Sequence, residues 1–168
     1  MATTTATSTE CSRIAEQLRR AFAGEAWHGP SLSELLSDVN NKQANSRPLA
    51  AAHSIWELTL HISVWTAHAR ASMNGVPMPQ FVEKMPPEQN WPEIKDPGPE
   101  AWRQTVDNTF RAGKELAAAI ENFGDERLGE TVPGRDYAFY NLFHGIVQHS
   151  IYHGGQIAII KKALGTPE

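Results

Sequence analysis

The sequence predicts an all-α protein, a four-helix bundle with a long crossover between its second and third long helices. Four segments carry apolar residues at a 3.6-residue period between recognisable end signals, and no β-hairpin signal competes with them. The stretch 76–98 is rich in proline and, when extended, long enough to run the length of a bundle.

Residues 1–8 are expected as a disordered Thr-rich tail and 9–168 as a single bundle domain. The first long helix runs from about Thr9 to Ala23, with Ile14, Leu18 and Phe22 on one face and Gly24 as its stop. Within the connection 24–53, Ser31 and Glu34 form a capping box ahead of Leu35 and Leu36, which predicts a short helix. The second long helix starts at Ser54, where Ser54 and Glu57 form another box. Its stripe is Ile55, Leu58, Ile62, Trp65 and Ala69, and Asn74-Gly75 ends it. Six prolines between Pro77 and Pro97 exclude helix from the segment, whose extended length suits a crossover that would run the second and third helices parallel, in an up-down-down-up order. The third helix spans Pro99 to Gly124 and carries Trp102, Val106, Phe110 and Ile120. The stretch RLGETVPGRDY has room for a short extended piece. The fourth helix runs from about Tyr137 to Leu164, before Gly165.

Composition removes several functions. The chain has 168 residues, 40% of them apolar and 20% charged, as in ordinary globular proteins. A net charge of −4 with scattered Lys and Arg offers no basic stripe for nucleic acid and no polybasic membrane patch. Cys11 is the single cysteine, so no internal disulfide forms. The N-terminus lacks a charged and an apolar signal region, and no apolar run could span a membrane. A cytoplasmic location is expected.

The histidines carry the chemistry. His149 and His153, in QHSIYHGGQ, fall inside the fourth helix's stripe of Leu142, Ile146, Ile157 and Ile160, whereas His144 points to the opposite side. Two readings of the pair stay open on spacing alone. Either the rings are core histidines satisfied by hydroxyls and carbonyls, or they converge on one metal ion. A third ligand would come from His53, His61 or His68. His61 and His68 lie about 10 Å apart along a helix axis, too far to share an ion. His53 precedes the cap, and His61 flanks the stripe beside Leu58 and Trp65, slightly nearer to it than His68. Glu57 is a candidate partner for a ligand ring, although its capping role accounts for it. Gln156, one turn beyond His153, is placed to orient a ring or touch substrate. Gly154 and Gly155 are costly within a helix, by about 1 kcal/mol each, and serve either close packing or open space beside a ligand.

Other metal and nucleophile arrangements are missing. The one Glu-x-x-His spacing, Glu25 to His28, sits beside Gly24 and Gly29-Pro30 in a loop, so a di-iron carboxylate site is excluded. There is no His-Glu-x-x-His motif and no phosphate-binding glycine loop. A lone Cys near the N-terminus makes a cysteine nucleophile a poor reading.

HSIWELTLHISVW, followed some 85 residues later by QHSIYHGGQIAII, resembles the DinB/YfiT-like family of bacterial metal-binding four-helix bundles. WHGPSLSELL and RPLAAAHSIW extend the likeness over nearly the whole chain. The resemblance implies a parallel second and third helix, a homodimer, and a mononuclear divalent metal on His61, His149 and His153. Zn and Ni lead the implied metals, with Fe, Cu and Mn also compatible. Relatives with known activity use the metal to activate a low-molecular-weight thiol, as in bacillithiol- or mycothiol-dependent transferases and isomerases. The implied function is a thiol-dependent S-transferase or a small-molecule hydrolase. His68 and Tyr152 are read as structural residues first and as assisting residues second. Two other readings are a non-catalytic dimeric metal-binding or stress-related bundle, and a small-molecule binding module without metal.

Overall fold

The computed structural model describes residues 8–79 and 85–165, so residues 1–7 of the tail expected at 1–8, part of the crossover and residues 166–168 lie outside the described residues. Seven α-helices occur among them: α1 Glu10–Ala23, α2 Leu32–Leu36, α3 Asn41–Asn45, α4 Ile55–Ser72, α5 Pro87–Asn90, α6 Pro99–Glu121 and α7 Phe139–Ala163. The described residues contain no strand, only one antiparallel bridge between Thr131 and Ala138, where a short extended piece was expected. No helix among them is long and apolar enough to cross a membrane.

The starts of α1 and α4 follow from side-chain caps. Thr9 accepts from the Ser12 N–H, and Ser54 and Glu57 exchange bonds of 3.2 and 2.7 Å that satisfy free N–H groups of α4. The start of α1 has a second cap from far along the chain. Asp125 accepts from the Glu10 and Cys11 N–H groups at 2.8 and 2.9 Å. The unexpected α3 begins at another box, Asn40 with Gln43. A correction concerns the crossover, which holds α5 where no helix was expected. Its first residue is Pro87, and a proline there loses nothing because a first-turn N–H has no helical partner.

The four long helices pack in a closed ring, α1 on α6 and α7, α4 also on α6 and α7. Buried Ile14, Leu18, Leu58, Ile62, Leu116, Ile120 and Ile157 fill the centre. On α6 the buried face includes Thr109 and Gly113, while Val106 and Phe110 are only half-buried. Thr109 can face inward because its hydroxyl donates to the Thr105 carbonyl at 2.8 Å. Gly113 must be small, since a Cβ there would sit 2.4 Å from the Phe22 ring. Between α4 and α6, Trp56 Nε1 donates to Thr105 Oγ1 and Thr109 Oγ1 to the Thr59 carbonyl, and Arg70 pairs with Glu115.

Candidate metal centre

His61 sits in the second turn of α4 and is buried; His153, also buried, lies one turn beyond half-buried His149 on α7. Packing of α4 on α7 brings all three together. Ring centroids are 4.9 Å apart for His61–His149, 4.7 Å for His61–His153 and 4.5 Å for His149–His153. One nitrogen from each lies within 4.8 Å of the others, and no second group of this kind occurs among the described residues.

Hydrogen bonds fix which nitrogens are available. His61 Nδ1 donates to the Asn90 carbonyl at 2.8 Å, so its Nε2 carries a lone pair in the neutral ring. His153 Nδ1 donates to Gln156 Oε1 at 2.7 Å, freeing its Nε2 likewise. His149 Nε2 lies 3.0 Å from His61 Nε2 and must be the donor of that pair, since His61 has no proton left there. Two nitrogens on one tetrahedral ion at 2.0–2.1 Å would be separated by about 3.3 Å. The observed spacing is close to that edge.

The surroundings keep the rings uncharged. Burial, opposed by the Asn90 bond, takes His61 from 6.5 down to about 4. Burial and the neighbouring imidazoles take His149 to about 3, and burial lowers His153 as well. Three neutral imidazoles with no carboxylate or thiolate form a donor set that suits a divalent transition metal.

Of the other sequence candidates, Gln156 is the one that hydrogen-bonds to the trio. Glu57 instead caps α4 and pairs with Arg47, lying 3.7 Å from His53 Nδ1. Tyr152 faces solvent at 65% exposure, its ring edge-on to His153 at 5.0 Å. His68 is half-buried and edge-on to Trp65, away from the three. His144 lies against Tyr140, 3.6 Å from Glu10. The glycines divide: a Cβ on Gly154 would meet Leu35 and Leu32 at 3.6 and 3.7 Å, whereas one on Gly155 would meet nothing. Cys11 is buried, its thiol pushed up to about 11 by burial and then by Asp125, so it is no nucleophile at neutral pH.

Sequence reasoning missed Asn90, Trp65 and Trp91. Asn90 is 3% exposed and also accepts from Trp65 Nε1 at 2.9 Å. The Trp91 indole is stacked on His61. The only local signal was aromatic: Trp65 belongs to the α4 stripe, and Trp91 is a large ring in a crossover of prolines and charges.

Helices without a strand among the described residues, together with a trio of convergent imidazoles of which two are buried and one half-buried, define a helical protein with a site fit for a metal ion. Residues 26–157 match the DinB superfamily, and the chain belongs to it. Comparison with curated proteins and with solved structures gives no match.

Proposed function

We propose that the protein is a metal-dependent enzyme that holds one divalent transition metal on the Nε2 atoms of His61, His149 and His153. The convergence of three neutral imidazole nitrogens within 4.8 Å carries this reading. Zn or Ni is the metal we assign first, with Fe, Cu or Mn suited by the same donors. When bound, the ion would acidify a thiol or water at a remaining coordination position, supplying a nucleophile at neutral pH. The chain's own part is to orient two rings through Asn90 and Gln156 and to keep them unprotonated. The substrate is then a small electrophile, taken up by thiol transfer or by hydrolysis. A cluster with three donors rather than four, among the described residues, supports catalysis over a closed structural site.

Two further parts belong to this proposal. The crossover makes α4 and α6 parallel, which the rising order of their pairs supports: 56 with 105, 59 with 109, 70 with 115. The partner is a second copy of the chain on the exposed face of α7. From Phe139 to Ile160 that helix has no Asp, Glu, Lys or Arg, yet it presents Tyr152 and Ile159 to solvent.

Elemental analysis of tag-free protein tests the metal. Wild type should carry about one equivalent, and His61→Ala and His149→Ala should each lose it. Wild type that stays metal-free after reconstitution would remove the proposal.

A further inference from the structure

His61 is restrained by residues that no helical period links to it. Asn90 ends α5 and gives its carbonyl to His61 Nδ1 and its side-chain oxygen to Trp65 Nε1. Trp91 follows directly and lies flat on the His61 ring, with centroids 3.9 Å apart and planes 11° from parallel. The other face of the indole is covered by His53, at 3.5 Å and 10°. The result is a three-ring stack, His53–Trp91–His61, with the crossover's indole between two histidines of one helix start. His53 lies 3.7 Å from Glu57, whose carboxylate is in turn fixed by the Ser54 N–H and by Arg47.

We propose that Trp91 is a positioning residue of the metal centre, clamped between His53 and His61 so that the crossover sets the tilt of the His61 ring. The inference rests on the metal-site reading above. A helical histidine turns about two side-chain torsions. The Nδ1 bond to Asn90 holds one edge of the ring, and a flat surface against its face removes the remaining rocking motion. Ligand rings must point their lone pairs to within about 10–20° of the ion, so this restraint bears on affinity. Trp91 is half-buried and packs against the apolar core, yet both its faces are taken by polar rings. Core packing alone does not call for an indole between two imidazoles.

The test uses Trp91→Leu, which fills space without a flat face, beside Trp91→Phe and His53→Phe, which keep a stack. Zinc affinity is measured by chelator competition, metal-free melting by calorimetry, and the His61 tautomer by imidazole 15N NMR of the metal-free protein. Trp91→Leu should bind zinc roughly 10–100-fold more weakly and show mixed His61 tautomers. The two Phe variants should stay within about threefold of wild type, with His61 protonated at Nδ1. Zinc affinity and a tautomer unchanged in Trp91→Leu would overturn the proposal, as would a Trp91→Phe loss equal to that of Trp91→Leu. Wild type that binds no zinc, but whose single His61 tautomer is lost in Trp91→Leu, would leave the clamp standing and remove the metal-site reading.

Discussion

The bundle contains two three-ring clusters of nearly the same dimensions. Phe123, Phe139 and Phe143 have centroids 4.7 to 5.5 Å apart, and His61, His149 and His153 have centroids 4.5 to 4.9 Å apart. Both are built around α7, and both interlock tilted or edge-on rings, the favoured aromatic geometry. The phenyl cluster stabilises by removing apolar area from water. The imidazole cluster buries polar nitrogens that a phenyl would not have, and two of its rings need outside partners, Asn90 and Gln156, to be satisfied. A phenyl cluster needs no such partners. On the reading proposed above, the imidazoles are there to hold the ion.

Four effects sharpen or break this contrast. The largest effect falls on the phenyl side. Phe143 is fully buried, so Phe143→Ala should cost about 3–5 kcal/mol in a denaturant titration, with metal content per folded molecule unchanged. A loss below about 1 kcal/mol would mean the cluster is not core. Next, His61→Phe carries the phenyl into the imidazole cluster. It should weaken zinc by roughly 100–1000-fold, about a quarter of a typical zinc-site binding energy, while the metal-free protein loses no more than the roughly 1–3 kcal/mol of the orphaned Asn90 and His149 partners. A larger loss would make His61 a structural residue and erase the distinction.

The third effect is graded by pH. His61 and His149 are held near 4 and 3 when folded, against 6.5 for an ordinary ring. Below about pH 6.5 the unfolded chain therefore binds protons that the folded chain does not. The stability of metal-free protein should be complete above pH 6.5, decline as pH falls from there towards 4 and 3, and level off for these groups below. In the double variant His61→Phe, His149→Phe that decline should shrink; an unchanged slope would assign it to other groups.

The smallest effect separates two glycines. Gly155→Ala, where the new methyl meets nothing, should stabilise by roughly 0.5–1 kcal/mol, whereas Gly113→Ala should destabilise because Phe22 occupies the space. A thermal melt of each variant decides it, and stabilisation in both would mean that α1 and α6 can separate freely.

The long helices were legible because their signals are local. Thr9, Ser54 with Glu57, and Gly165 each act within a few residues of the end they mark. The box of Asn40 with Gln43 was equally local and went unread, as did the tolerance of Pro87 for a first turn. Thr109 was hidden for another reason. A hydroxyl that bonds back to its own helix can be buried, and polarity alone does not announce that. At the site, the α7 pair was visible by period, and family likeness pointed to His61. The Asn90 contact was not visible, because it is made by a carbonyl that every residue possesses, 29 positions from its partner. Trp91 is recognisable only once the crossover has been laid against α4.

The 3.0 Å approach of His149 Nε2 to His61 Nε2 has a calorimetric consequence. All three rings are already neutral near pH 7, and two already carry their proton on the far nitrogen. Only His149 has it on the side facing the cluster. Metal uptake then needs that proton to migrate around one imidazole, from Nε2 to Nδ1, with none released to the medium by the rings themselves. Any dependence of the heat of zinc binding near neutrality on the ionisation enthalpy of the buffer should accordingly come from a water or thiol acidified on the metal, not from the three rings.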